Sequence, residues 1–508
     1  MNEYDFLSAF DEDDGVRPKH DARTYGEEDP AERKSFAQRI HLPEALIALA
    51  ITALLAIVPL VAHAATDDAS AASSSAASSE QANAAESKSA ATPDAQGASS
   101  DSSDAAKKGA DGLTAKKSKT AYAYGRTIAT SETGARGIAA ASKGTVIAGD
   151  LTVTTKGDDA PAIEAAENAR VSVVNTALKT SGSDSPLVRT AGTVELENVN
   201  GKAAASPIAT LCNAAALVVS NSTLASDFEG IAEEGTLIEG ITNAVTSGTT
   251  DAVSGAVVIY GTGDNPTTTA LFQATGSTLA SKIQSGALFY LTNSQSKIVL
   301  SNVELEFDSE SANLLTAAGN NVNGWGKAGK NGATSTFTSY GNQLAGNVTV
   351  DTTSSLDFYL LEGSAWKGTS HISSSTTGET SAVNLTVNID STSAWTLTGN
   401  STVSNLNLET GGKLIDENGD SVKIVDKDGN TLVDGSSDVK VKVTGNFTTT
   451  VTTTSANELE SSTVDRSGYD EKYGESTSFG TNGQATSPSV EDEARERAEY
   501  IKAWFENL

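Results

Sequence analysis

Between Ala160 and Leu224 one short residue pattern is written three times in succession. The copies begin around Pro161, Pro186 and Pro207, so their starts lie 25 and 21 residues apart. Each continues with a small or polar turn and an alternating apolar run: Val171 and Val173, Val194 and Leu196, Leu217 and Val219. An Asn follows at 175, 198 and 221, and two copies add a Leu, at 178 and 224. A period in the low twenties marks a solenoid whose units cannot bury a face alone. Period-2 alternation calls for strands, and the runs are too short for helices. The unit that fits is a coil of a parallel β-helix, with strands stacked about 4.8 Å apart on their copies. Asn at a fixed place tolerates a left-handed corner and can bond its amide to the neighbouring coil.

A narrow column suits the composition. Only 5% of the 508 residues are aromatic and 38% apolar, thin for a large globular core. The 44 Gly, against 10 Pro, suit a chain that turns every few residues. The single Cys, Cys212, forbids an intrachain disulfide, and the repeat register places it inward as a small buried hydrophobe. A net charge of -30 argues against nucleic acid as a partner, because phosphates are bound through Lys and Arg.

Residues 1–41 are polar and acidic and are expected to be a disordered cytoplasmic tail. Residues 42–64 form a signal peptide or signal anchor, built on the apolar run 45–62. Positive charge at Arg33, Lys34 and Arg39 before it, and Asp67 and Asp68 after it, places the N-terminus in the cytoplasm. Ala62-His63-Ala64 has the small-x-small form that signal peptidase reads. If it is cut after Ala64 the chain is secreted; if not, 45–62 holds it in the membrane.

Residues 65–120, rich in Ala and Ser, read as a flexible linker and 121–412 as the β-helix; from Tyr122 to about Val451 there is room for about fifteen coils of about 22 residues, near 70 Å of stack. Residues 413–454 hold two hairpin signatures, Asn418-Gly419 and Asp428-Gly429, read as a cap over the open last rung. Residues 455–487 read as a polar linker and 488–508 as an amphipathic helix, with Val490, Ala494, Ala498 and Ile501 on one stripe.

Two later stretches carry a resemblance. Gln343 to Asp351, with Ser354-Ser355-Leu356 and Gly363 to Gly368, resembles coils of the bacterial right-handed β-helix adhesins. Ser393 to Val403, with Leu406, Leu408 and Gly411-Gly412, is similar to late coils of autotransporter passenger domains. The resemblance implies an all-β, right-handed parallel β-helix of pectin-lyase-like fold, displayed on a bacterial surface. It departs from that family in one respect: the 57 residues after Val451 are too few for a translocator barrel.

The pectin-lyase-like fold also serves polysaccharide lyases and glycoside hydrolases, which need an acid and a base at set separation. Within the rod the one His is His371, and no Arg occurs between Arg189 and Arg466. Gly157-Asp158-Asp159 is read as an inter-coil turn because it recurs as Ser183-Asp184-Ser185. Asp426-Lys427-Asp428-Gly429-Asn430 opens like a calcium loop but lacks its bidentate Glu. Trp325, Trp366 and Trp395 would stack on sugars if exposed; Trp366 and Trp395 each follow Ser-Ala at a coil turn, where packing is expected. No catalytic residue, metal ligand or cofactor site is therefore assigned. The expected function is adhesion to an extracellular glycan or protein through the rod's lateral faces. A polysaccharide-degrading enzyme and a structural envelope spacer are the alternatives.

Overall fold

The computed structural model describes residues 110–230, 254–264, 266–320, 325–374, 383–477 and 479. The expected tail, the signal segment, most of the first linker and the terminal helix of 488–508 lie outside these residues. Among the described residues no helix is long and apolar enough to cross a membrane.

The three sequence copies stack directly. Val171 pairs with Val194 and Val194 with Leu217; Val173, Leu196 and Val219 follow in the same register, all parallel. Each coil makes three strands, so the column has three faces. Face one carries ten strands, from Leu113–Ala115 to Ser370–Ser373. Face two begins at Thr120–Tyr124 and ends at Phe447–Thr448. Face three begins at Thr127–Thr130 and continues through a four-stranded sheet that ends at Lys413–Asp416. This is a parallel β-helix, of the right-handed sense that connections between parallel strands take.

The corner between faces two and three repeats in left-handed backbone. Asp150, Asn175, Asn198, Asn221 and Asn302 all have φ between 48° and 54°. Their rungs are consecutive neighbours except between Asn221 and Asn302, where Gly276 (φ 53°) intervenes. Asn and Gly bear this conformation at least cost. The amide of Asn198 donates to Asn175 Oδ1 at 2.7 Å, the coil-to-coil bond expected of this position, whereas Asn221 donates to the Glu197 carboxylate at 2.7 Å.

Inside, one ladder of face two runs Val146, Val171, Val194, Leu217, Phe272, Ile298, Phe337, Phe358, Val387, Leu406. Every member is fully buried. The column thickens toward its C-terminal half, where Phe272, Phe289 and Phe337 pack edge to face and Phe337 stacks on Phe358 at 4.8 Å. Trp366 and Trp395 then stack at 4.4 Å and 13°.

Two expected boundaries and the expected coil number change. Leu113–Ala115 and Thr120 already belong to the first coil, so the linker ends before 113. Lys413–Asp416 pairs in parallel with Ala394–Leu397 and is column, not cap. Face two holds twelve rungs rather than fifteen, about 53 Å of stack. The coils are unequal: rung neighbours lie 25 residues apart at Ala160 and Ser185, but 55 apart at Ser222 and Ser277 and 39 apart at Ser296 and Ser335. A fixed period of 22 spends those inserted residues on coils that do not exist. The hairpin is present as the antiparallel pair Lys423–Val425 and Thr431–Val433, joined through Lys440–Val443 to Ser401–Val403.

Candidate functional site

The three outer faces of the column are covered to different extents. Face two is closed by the chain's own C-terminal segment. After Thr448, residues 452–477 turn back and run along face two from its last rungs to its first. The Tyr359 hydroxyl donates to Thr452 O at 3.2 Å and that of Tyr340 to Asn457 O at 2.9 Å. The Lys297 ammonium reaches Ser455 O at 3.0 Å and the Glu460 carboxylate at 2.8 Å. Glu195, 1% exposed, accepts from the Ser462 hydroxyl and the Thr463 N–H, both at 2.6 Å, and from the Val464 N–H at 3.2 Å. Two phenols, an ammonium and a carboxylate on four rungs thus hold the strap, mostly by its main chain.

The N-terminal end is anchored by a short helix, Ser467–Tyr473, which ends at Gly474 in left-handed backbone. Buried Arg466 donates to Ser172 O at 2.9 Å and Ala148 O at 3.1 Å and stacks over the Tyr469 ring. Burial pulls its guanidinium pKa below the usual range. Fully buried Tyr469 sits among Tyr122, Tyr124 and Tyr473 and packs on Ile147. The expectation of a linker over 455–487 therefore fails for 455–477. A polar segment can be ordered when its hydrogen-bond partners are supplied by another element.

Face one is partly covered. At its N-terminal end Arg136 bonds Asp111 through two nitrogens, at 2.9 and 2.7 Å, and pairs with Glu164. Arg189 continues the ladder to Asp159 at 2.5 Å, Asp184 at 3.1 Å and Glu164 at 3.5 Å. Midway, outward-pointing Val258 and Tyr290 are buried, and Tyr260 stacks on Trp325 at 4.0 Å.

Face three is open. From Thr127–Thr130 to Lys413–Asp416 each central inward side chain is shielded or partly so, while the outward positions on either side stay half-buried or exposed. The outward rows are dominated by small residues, as at Thr152, Thr223, Thr278, Ala365 and Ala394, with Lys179, Lys202 and Lys367 among them. The result is a flat ribbon with rungs about 4.8 Å apart.

The residues weighed in the sequence fall as follows. Asp158 accepts from the Ser183 N–H and hydroxyl, both at 2.8 Å, which makes it part of the inter-coil turn. Gly157 belongs to that turn because a Cβ there would lie 2.1 Å from Glu132 O. His371 is exposed and shares a hydrogen bond with the Thr369 hydroxyl at 2.9 Å. Asp426 accepts from the N–H groups of Asp428 and Asn430 and closes a hairpin turn. Trp366 and Trp395 are fully buried, their indole N–H groups donating to Gly346 O and Gly368 O; Trp325 is 4% exposed. Cys212 corrects the register by one residue. Ala209 and Leu211 point inward, so Cys212 points out, half-buried beside Tyr260 and Thr262, and burial raises its thiol pKa. Among the described residues no group of three or more His, Cys, Asp or Glu is placed to hold a metal ion.

No family model and no curated protein matches the chain. Among solved structures, the cryo-EM structure of the Vag8-C1 inhibitor complex is similar over 63% of this chain and 75% of that chain, at 14% identity and a TM-score of 0.38. At so low a score the likeness adds nothing to what the strand pairing establishes. The β-helix stands on its own ladders.

Proposed function

We propose that the chain is an exported, surface-displayed binding protein, an adhesin in the broad sense, that engages an extracellular glycan or protein along face three. The observation that carries this reading is the contrast among the faces: face two is covered by the chain's own C-terminal segment, face one is partly covered, and face three presents a flat polar ribbon over its length. Many weak contacts repeated along such a ribbon sum to useful avidity. Display rests on the apolar run 45–62 and the Ala/Ser-rich segment after it.

The test is to screen the full chain on a glycan array and a panel of matrix proteins. Any ligand found is then tested against Thr223→Arg with Thr278→Arg on face three, and against Leu432→Arg on the exposed hairpin. Binding lost in the first variant and kept in the second is the expected result. Binding unchanged by the face-three pair, or no ligand on either panel, counts against the assignment.

A further inference from the structure

Face two holds its strap in a way that does not depend on the strap being its own. Tyr359, Tyr340, Lys297, Gln273 and Glu195 each bond main-chain atoms of the segment. Gln273 bonds both the N–H and the C=O of Glu460, as a strand neighbour would. Side chains fixed on a rigid sheet are therefore reading the main chain of an extended peptide, the logic of strand addition carried out by side chains. Side-chain identity is read as well, by Thr338 on Asn457, Lys297 on Glu460 and Glu195 on Ser462, and at the far end by the Arg466 and Tyr469 anchor.

The far part of the strap is held by the apolar anchor at Val464 and Tyr469, whereas its first part is polar. From Thr452 to Ser462 it has no large apolar side chain except Leu459. Much of the row beneath it is polar, with Ser172, Glu195, Gln273, Thr338 and Asn388 alongside apolar Ile147, Val218 and Val299. One short connection, residues 449–451, joins the strap to the last rung at Thr448.

We propose that face two is a peptide-binding track and that its partner in trans is the strap of a second copy of this chain, giving a strap-exchanged dimer. Exchange preserves the contacts between strap and track and changes only those of the connection 449–451, the feature that makes swapping a low-cost route to dimers. With the display proposed above, copies held together on a surface raise the concentration at which strap and track of different copies meet, which favours exchange over self-closure.

The contact between Lys297 and Glu460, at 2.8 Å, supplies the probe. Full chain labelled with 15N and unlabelled full chain are mixed in equal amounts at high concentration, warmed to below the main unfolding transition and cooled. A carbodiimide then couples the ammonium to the carboxylate, and mass spectrometry sorts the 297–460 peptide pairs by isotope. Mixed pairs rising toward about half of all pairs, in a fraction eluting at twice the mass, are expected. Exclusively matched pairs, under conditions where hydrogen exchange shows the strap opening, would overturn exchange; absence of any 297–460 pair would overturn the track itself.

Discussion

The side chain of Gln273 and the main chain of Glu460 form a two-way bridge. Gln273 Nε2 donates to the carbonyl at 2.9 Å and Oε1 accepts from the N–H at 2.7 Å. The two residues are 187 positions apart in sequence, and their bridge sits midway along the strap. Gln273→Ala should remove both bonds at a cost of about 1–3 kcal/mol, local to the strap. Amides of residues 455–466 should then exchange faster, while those of the inner ladder around Phe272 and Ile298 keep their protection. Hydrogen exchange read by mass spectrometry distinguishes this from general destabilisation.

Trp366 is the heaviest test of the column's interior. It is fully buried between Phe358 and Trp395 and donates to Gly346 O at 2.8 Å. Trp366→Ala should cost about 3–5 kcal/mol through the cavity it leaves. Thr223→Ala on the open face should stay within about 0.5 kcal/mol. Denaturant midpoints of the two variants make the comparison.

At the corner, Asn198 adopts φ 54°. Asn198→Ala places a Cβ-bearing residue without a polar side chain in left-handed backbone and should destabilise by about 1–2 kcal/mol. Asn198→Gly should recover most of that, losing the 2.7 Å amide bond to Asn175 and little else. Urea unfolding of the three chains gives the order wild type, Gly, Ala.

Acid should act on the last strand of face three and its hairpin before the inner ladder. The Ser437 hydroxyl, and then the N–H groups of Asp420 and Asn418, hold the Asp416 carboxyl below its usual pKa; Asn430 does the same for Asp426. A depressed folded-state pKa contributes stability that is present above the ordinary carboxylate range and lost as pH falls through the folded value. The inner ladder contains no carboxylate. At pH 3, amides of 416–437 should therefore lose protection relative to pH 7, after correction for intrinsic rates, while those of the inner ladder hold. Equal loss in both regions would contradict this assignment.

The coils were legible because their information is local. Val171, Asn175 and Leu178 repeat within a few residues of themselves, and the structure pairs them with Val194, Asn198 and the next coil. The strap was not, because Ser462, Thr463 and Val464 are ordered by Glu195, some 270 residues away, and carry no period of their own. One signal was available. Val218 and Val299 stand between inward neighbours in the runs 217–219 and 298–300, and an apolar run without alternation marks a strand buried on both sides. Those outward valines are buried, at 7% and 0% exposure. The Cys212 register failed for a simpler reason: Ala209 and Thr210 are both buried, so composition does not say which of them faces in.

The account rests on face two being closed while face three is open, and thiol accessibility tests it most directly. In a Cys212→Ser background, single cysteines are placed at Thr278 on face three and at Val299 or Thr338 on face two. The folded chain should react at Thr278→Cys nearly as fast as an unstructured thiol peptide, and at Val299→Cys and Thr338→Cys at least about a hundredfold more slowly, since the strap must open first. Equal rates on the two faces of a chain that remains folded would contradict it.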